Sequence, residues 1–173
     1  HKNHKYIIDV AEILKNKNNK KYLFVFCGGN KGNYNYIKNL VSKKELHDHI
    51  KILTFISDDE VISLYLNAHG VVMPTYGGPT NLPIYESFFF KKIIFYTKNL
   101  IPDDKINNHL VEIDISSPLD LYDNLEILFN KSKLDKIIED NHNYYNLICN
   151  EKTFKINYKK VLDDFSYLLN RWK

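Results

Sequence analysis

The sequence predicts an α/β domain: a doubly wound parallel sheet followed by C-terminal helices. Two observations carry this reading. Short, continuously apolar runs alternate with segments whose apolar residues recur at helical spacing. The runs show no in–out alternation, which suits strands covered on both faces of a parallel sheet. Right-handed crossovers then wind the chain into a Rossmann-like fold.

The elements follow in order. Ile7, Ile8, Ala11 and Leu14 have helical spacing and predict a helix over His4 to Leu14. Lys15 to Lys21, nearly all Lys and Asn, reads as an exposed loop. Tyr22 to Cys27 predicts a buried strand that turns at Gly28-Gly29. Ile37, Leu40 and Val41 predict a helix over Tyr34 to Lys44, and Ile50 to Phe55 a second strand. Ser57-Asp58-Asp59-Glu60 is a helix start, with a capping side chain and acids suited to the positive end of the helix dipole. That helix runs to about Asn67.

Gly70 to Met73 predicts a third strand, stopped by Pro74. A turn at Gly77-Gly78-Pro79 leads to a short helix, Leu82 to Phe90, with Pro83 tolerated in its first turn. Ile93 to Tyr96 and Leu110 to Ile113 predict two more strands. Asn99 to Asn108 reads as the most loop-like stretch, and residues 118–130, 132–148 and 152–171 as helices.

Composition narrows the function classes. The 173 residues suit one domain with a single core, and no initiator Met is present, so the chain is expected to begin inside a longer protein. No apolar run reaches the ~20 residues of a membrane span. A net charge of +3 gives no case for nucleic acid. The two cysteines, Cys27 and Cys149, form no disulfide framework or zinc pattern; Cys27 reads as a buried thiol and the compartment as cytoplasmic. His47-Asp48-His49 is the one local histidine cluster, too small for a metal cage, and no metal is expected. The aromatics at Tyr22, Phe24, Phe26, Phe88 to Phe90 and Phe95 read as core. Tyr144, Tyr145 and Trp172 read as packing residues of the C-terminal helices.

Ligands of open parallel sheets bind beyond the carboxyl ends of the strands. The loop after the third strand is the most distinctive of those sites. Its helix start offers the free amides of Thr80, Asn81 and Leu82 to an anion such as a diphosphate. Glu86, about one turn further, can aim a carboxylate at a diol such as ribose hydroxyls.

Pro74-Thr75-Tyr76-Gly77-Gly78-Pro79-Thr80-Asn81-Leu82-Pro83-Ile84-Tyr85-Glu86-Ser87 resembles the donor-site motif of family 4 (group 1) glycosyltransferases of the GT-B fold. Three further segments resemble that family in the expected order: His1-Lys2-Asn3-His4, Phe24 to Gly29, and Ile52 to Tyr65. The resemblance covers roughly Lys2 to Tyr96.

It implies the C-terminal donor-binding domain of a retaining hexosyltransferase that takes a UDP- or GDP-sugar without a metal. The implied catalytic residues are Lys2, which would neutralise the diphosphate, and Glu86, which would bind the ribose. Gly28 and Gly29 would line the site, and Phe55 and Ile56 would flank the base. Gly78, Pro79, Thr80, Asn81 and Leu82 would meet the diphosphate. The first Glu of the family's E-x7-E motif falls at Gly78, which puts sugar recognition in question.

The implied partners are the nucleotide sugar, an N-terminal domain of the same protein, and a glycan or lipid-linked acceptor. Nucleic acid and a membrane span are not implied. The implied role is polysaccharide or glycoconjugate synthesis in the cytoplasm, peripheral to the inner face of a membrane in the full-length protein. The alternatives are a non-catalytic nucleotide-sugar-binding domain and a sugar-nucleotide epimerase of the same architecture.

Overall fold

The computed structural model describes residues 1–19, 21–77, 81–100 and 104–170. Strands β1 (Phe24–Gly28), β2 (Ile50–Thr54), β3 (Gly70–Met73), β4 (Ile93–Thr97) and β5 (Val111–Ile113) alternate with helices. The helices are α1 (His4–Asn16), α2 (Tyr34–Lys43), α3 (Asp58–Asn67), α4 (Leu82–Phe89), α5 (Asp104–Asn107), α6 (Pro118–Asn124), α7 (Lys131–Ile148) and α8 (Glu151–Asn170). A 3-10 helix, Leu125–Phe129, joins α6 to α7.

All paired strands run parallel, in two groups: β1 with β2, and β3 with β4 and β5. The expected α/β layering with parallel strands is present. Helix α1 spans the two groups. Its Tyr6, Ile7, Val10 and Leu14 share one core with Phe24 and Phe26 of β1, Val72 of β3, and Ile93 and Phe95 of β4. Ile8 and Ala11, on its other side, pack with Ile37 and Val41 of α2. A helix buried on two sides carries a wide apolar stripe, and each fully buried aliphatic side chain contributes about 1.5–3 kcal/mol.

The two-faced covering holds for β4, where all five residues are buried. Ile93 and Phe95 face the α1 core, and Ile94 and Tyr96 face a second core with Ile84 and Phe88 of α4. It fails for β1. The register pairs Val25 with Lys51, and both are exposed, so the outer face of β1–β2 meets solvent. Cys27 lies on that side and is exposed, which corrects its reading as a buried thiol.

Gly70 has a packing reason. A Cβ there would lie 2.8 Å from Ile93 Cγ2 and 3.2 Å from the Ile93 carbonyl, so only glycine lets β3 approach β4 this closely.

Several local signals take the forms expected of them. Ser57 and Glu60 form a reciprocal capping box at α3, and proline stands in the first turn of α4 and α6. The Asn99–Asn108 stretch differs from its loop-like reading, since it contains the short helix α5; residues 101–103 lie outside the described residues. Phe89, read as core, is exposed on α4. Tyr144 stacks on His109, and Tyr145 packs against Phe89; Trp172 lies outside the described residues. Helix α8 turns an apolar stripe of Phe154, Tyr158, Val161, Leu162 and Phe165 to solvent. No described helix is long and apolar enough to cross a membrane.

Candidate functional site

The carboxyl ends of β1, β2 and β3 open on one edge of the domain, where the sequence places its candidate residues. Two backbone features shape the β1–β2 part. Gly28 has φ 155°, a conformation that side chains rarely adopt, and its carbonyl accepts from the Phe55 amide at 3.3 Å. Phe55 is left-handed at φ 58° and 72% exposed. Such a backbone costs a bulky residue about 1–2 kcal/mol. The turn after β1 and the residue after β2 are therefore joined, with Gly28 and Gly29 open to solvent and Ile56 half-buried beside Phe55.

The start of the chain meets the loop after β3. The His1 carbonyl accepts from the Tyr76 amide at 2.9 Å and lies 3.1 Å from Thr75 Oγ1. The buried Thr75 hydroxyl also lies 2.7 Å from the Gly77 carbonyl and accepts from the Gly77 amide, closing the turn. Lys2 is thus exposed beside the head of the distinctive loop. His4, the first residue of α1, packs edge-on against Phe26 of β1, with ring centroids 5.0 Å apart. Burial first, and then the Lys2 charge, hold His4 below its ordinary pKa.

Of the loop itself, Gly78, Pro79 and Thr80 lie outside the described residues. The structure resumes at Asn81, whose side chain accepts from the Tyr96 hydroxyl at 2.7 Å. Tyr96 is 1% exposed, so the start of α4 is tied to the core of β4. The amides of Asn81 and Leu82 stand at the first turn, where a helix has no acceptor of its own for them.

Glu86 is exposed one turn along α4, and its Oε2 accepts from the Tyr65 hydroxyl at 2.7 Å. Tyr65 stacks on Phe90 and lies close enough to Cys27 for that group to act on its titration. Helices α3 and α4 therefore meet at the Glu86 carboxylate. Glu86 also stands on the rim of an open groove between α4 and α7, with Leu82, Tyr85, Phe89 and Tyr145.

Two partners were missed at the sequence level: Tyr65, which holds Glu86, and Tyr96, which holds Asn81. Tyr65 ends a segment that resembles the family's, but nothing along α3 pairs it with Glu86, and Tyr96 lies on the fully buried β4; the partners lie 21 and 15 residues away. His49 of the local histidine cluster is buried, with Nδ1 3.2 Å from the Tyr22 carbonyl, and serves packing. Among the described residues, no group of three or more His, Cys, Asp or Glu side chains gathers as a metal site.

Solved structures share the fold. TarM aligns with a TM-score of 0.75 at 19% identity, over 92% of this chain and 32% of that one. WaaG, a glycosyltransferase involved in lipopolysaccharide biosynthesis, aligns with a TM-score of 0.67 at 15% identity, over 84% and 39%. The C-terminal domain of a group 1 glycosyl transferase, LpcC from Francisella tularensis, aligns with a TM-score of 0.64 at 22% identity, over 87% and 80%. The chain therefore spans well under half of the first two and most of the third. No curated protein matches the sequence. Residues 1–144, most of the chain, match the family described as "Glycosyl transferases group 1", and the chain belongs to that family.

Proposed function

We propose that this chain is the C-terminal, donor-binding half of a two-domain, retaining family 4 glycosyltransferase. One observation carries the reading. At the carboxyl end of β3, the His1 backbone, with Lys2 next in sequence, bonds Tyr76 at the start of the loop, and α4, which carries the exposed Glu86, follows that loop. Those are the groups that a nucleoside diphosphate needs. The coverage of the longer structures, against that of the isolated LpcC domain, supports the half-protein reading.

In this reading the amides at the start of α4 and the Lys2 ammonium hold the diphosphate and neutralise the charge it gains on leaving. They do so in place of a divalent metal. Glu86 accepts from two ribose hydroxyls, and the Phe55 segment flanks the base. The bond from the anomeric carbon to the diphosphate breaks as the acceptor hydroxyl attacks from the same face and passes its proton to the departing diphosphate oxygen, giving retention. The acceptor, a glycan or lipid-linked glycan of cell-surface polysaccharide synthesis, sits on a separate N-terminal domain, and closure of the two domains completes the site. Gly78 in place of a motif Glu favours a second reading: a domain that binds the nucleotide sugar and does not transfer it.

Titration calorimetry of the chain with UDP and GDP tests donor binding. Loss of two charge-assisted hydrogen bonds in Glu86→Ala weakens the better ligand about 30-fold, on the order of 2 kcal/mol. Unchanged affinity in both Glu86→Ala and Lys2→Ala refutes the reading. Release of nucleoside diphosphate by the full-length protein with acceptor, against none, separates the transferase from the binding module.

A further inference from the structure

The Glu86 carboxylate has a partner on a neighbouring helix. The Tyr65 hydroxyl donates to its Oε2 at 2.7 Å, and among the described residues no other group bonds that carboxylate. Tyr65 is itself held in place: it is half-buried, and its ring lies flat on Phe90, with centroids 5.0 Å apart and planes 13° from parallel. Burial first, and the Glu86 carboxylate second, raise the Tyr65 pKa, so the phenol remains a donor through neutral pH.

A glutamate has three side-chain torsions, and an exposed one samples many rotamers. A carboxylate that must meet a rigid diol with both of its hydrogen bonds loses that freedom on binding. A partner that restrains one oxygen beforehand removes part of the cost.

We propose that Tyr65 is a positioning residue for the nucleotide ribose: it engages Oε2 of Glu86 and so turns the other oxygen toward the ribose hydroxyls. This rests on the reading of Glu86 as the ribose ligand. Helix α3 is then part of the donor site through Tyr65, which touches no donor atom. Helix α3, which has no fully buried residue, meets the rest of the domain through the stack on Phe90, this hydrogen bond and Lys92, whose Nζ donates to the Leu66 carbonyl at 2.9 Å.

The test is a comparison of wild type, Tyr65→Phe, Glu86→Ala and the double variant, titrated with UDP, GDP and their 2′,3′-dideoxy forms. Tyr65→Phe keeps the ring and the stack, so the fold is preserved. It is expected to weaken the better ribonucleotide about 3- to 10-fold, to leave the dideoxy form unchanged, and to add nothing in the Glu86→Ala background. In the full-length enzyme it raises the donor KM and leaves kcat in place. If Tyr65→Phe binds like wild type while Glu86→Ala is weakened, or if it weakens ribo and dideoxy forms alike, the positioning role is overturned and the ribose reading stands. If Glu86→Ala itself binds both forms like wild type, or if wild type binds neither nucleotide, the ribose reading falls and the inference with it.

Discussion

Ser57→Ala tests whether α3 stands on its cap. The helix has no buried residue, so packing contributes little to holding its first turn. Three bonds meet there. The Glu60 amide donates to Ser57 Oγ at 3.3 Å, the Ser57 amide donates to Glu60 Oε2 at 2.7 Å, and the Ser57 hydroxyl donates to the same oxygen at 3.0 Å. Alanine removes the first and third and leaves the second. The site is exposed, which puts the loss at about 0.5–1 kcal/mol, the lower half of the range for cap removal. A domain of this size then unfolds about 1–4 °C lower. Because α3 carries Tyr65, the affinity for UDP or GDP should fall with it, by less than in Tyr65→Phe. Urea denaturation reads the global change, and hydrogen exchange of the α3 amides reads the local one. Unchanged exchange in α3 together with an unchanged urea midpoint would refute the account of the helix.

Three further outcomes are expected. Gly70→Ala forces a Cβ to 2.8 Å from Ile93 Cγ2, and overpacking should cost about 1–3 kcal/mol in urea, far more than an exposed Gly→Ala change. Asp114 is held well below its ordinary pKa, first by Lys98 at 2.6 Å and then by the Ser116 hydroxyl and amide. A depressed carboxylate contributes stability that is present above its unfolded value of 3.8 and lost as pH falls through the folded one. Asp114→Asn should therefore flatten the loss of stability between about pH 4 and pH 2, and an equally steep acid limb would contradict this. Phe88→Ala empties a fully buried site that touches α4, β4 and α7, and should cost about 3–5 kcal/mol, measured by the same denaturation.

The sequence by itself determined what local chemistry controls. Apolar runs and helical periodicity named every strand and the major helices. The Ser57–Glu60 pair and the prolines at 83 and 118 marked helix starts, because caps and ring constraints act within one turn. The run from Pro74 to Ser87 named the candidate site and led to the family whose match the comparison found. Only the tertiary structure decided which faces are covered and which side chains meet. An apolar run such as Tyr22 to Cys27 reads the same whether one side or both are buried, since coverage depends on elements elsewhere in the chain. Val25 and Cys27 therefore emerged exposed. The bonds from Tyr65 to Glu86 and from Tyr96 to Asn81 join different elements, and no spacing along one element encodes them. Such contacts exist only once crossovers bring the ends of the strands together, and for that reason the chain announced its carboxylate but not the phenol that holds it.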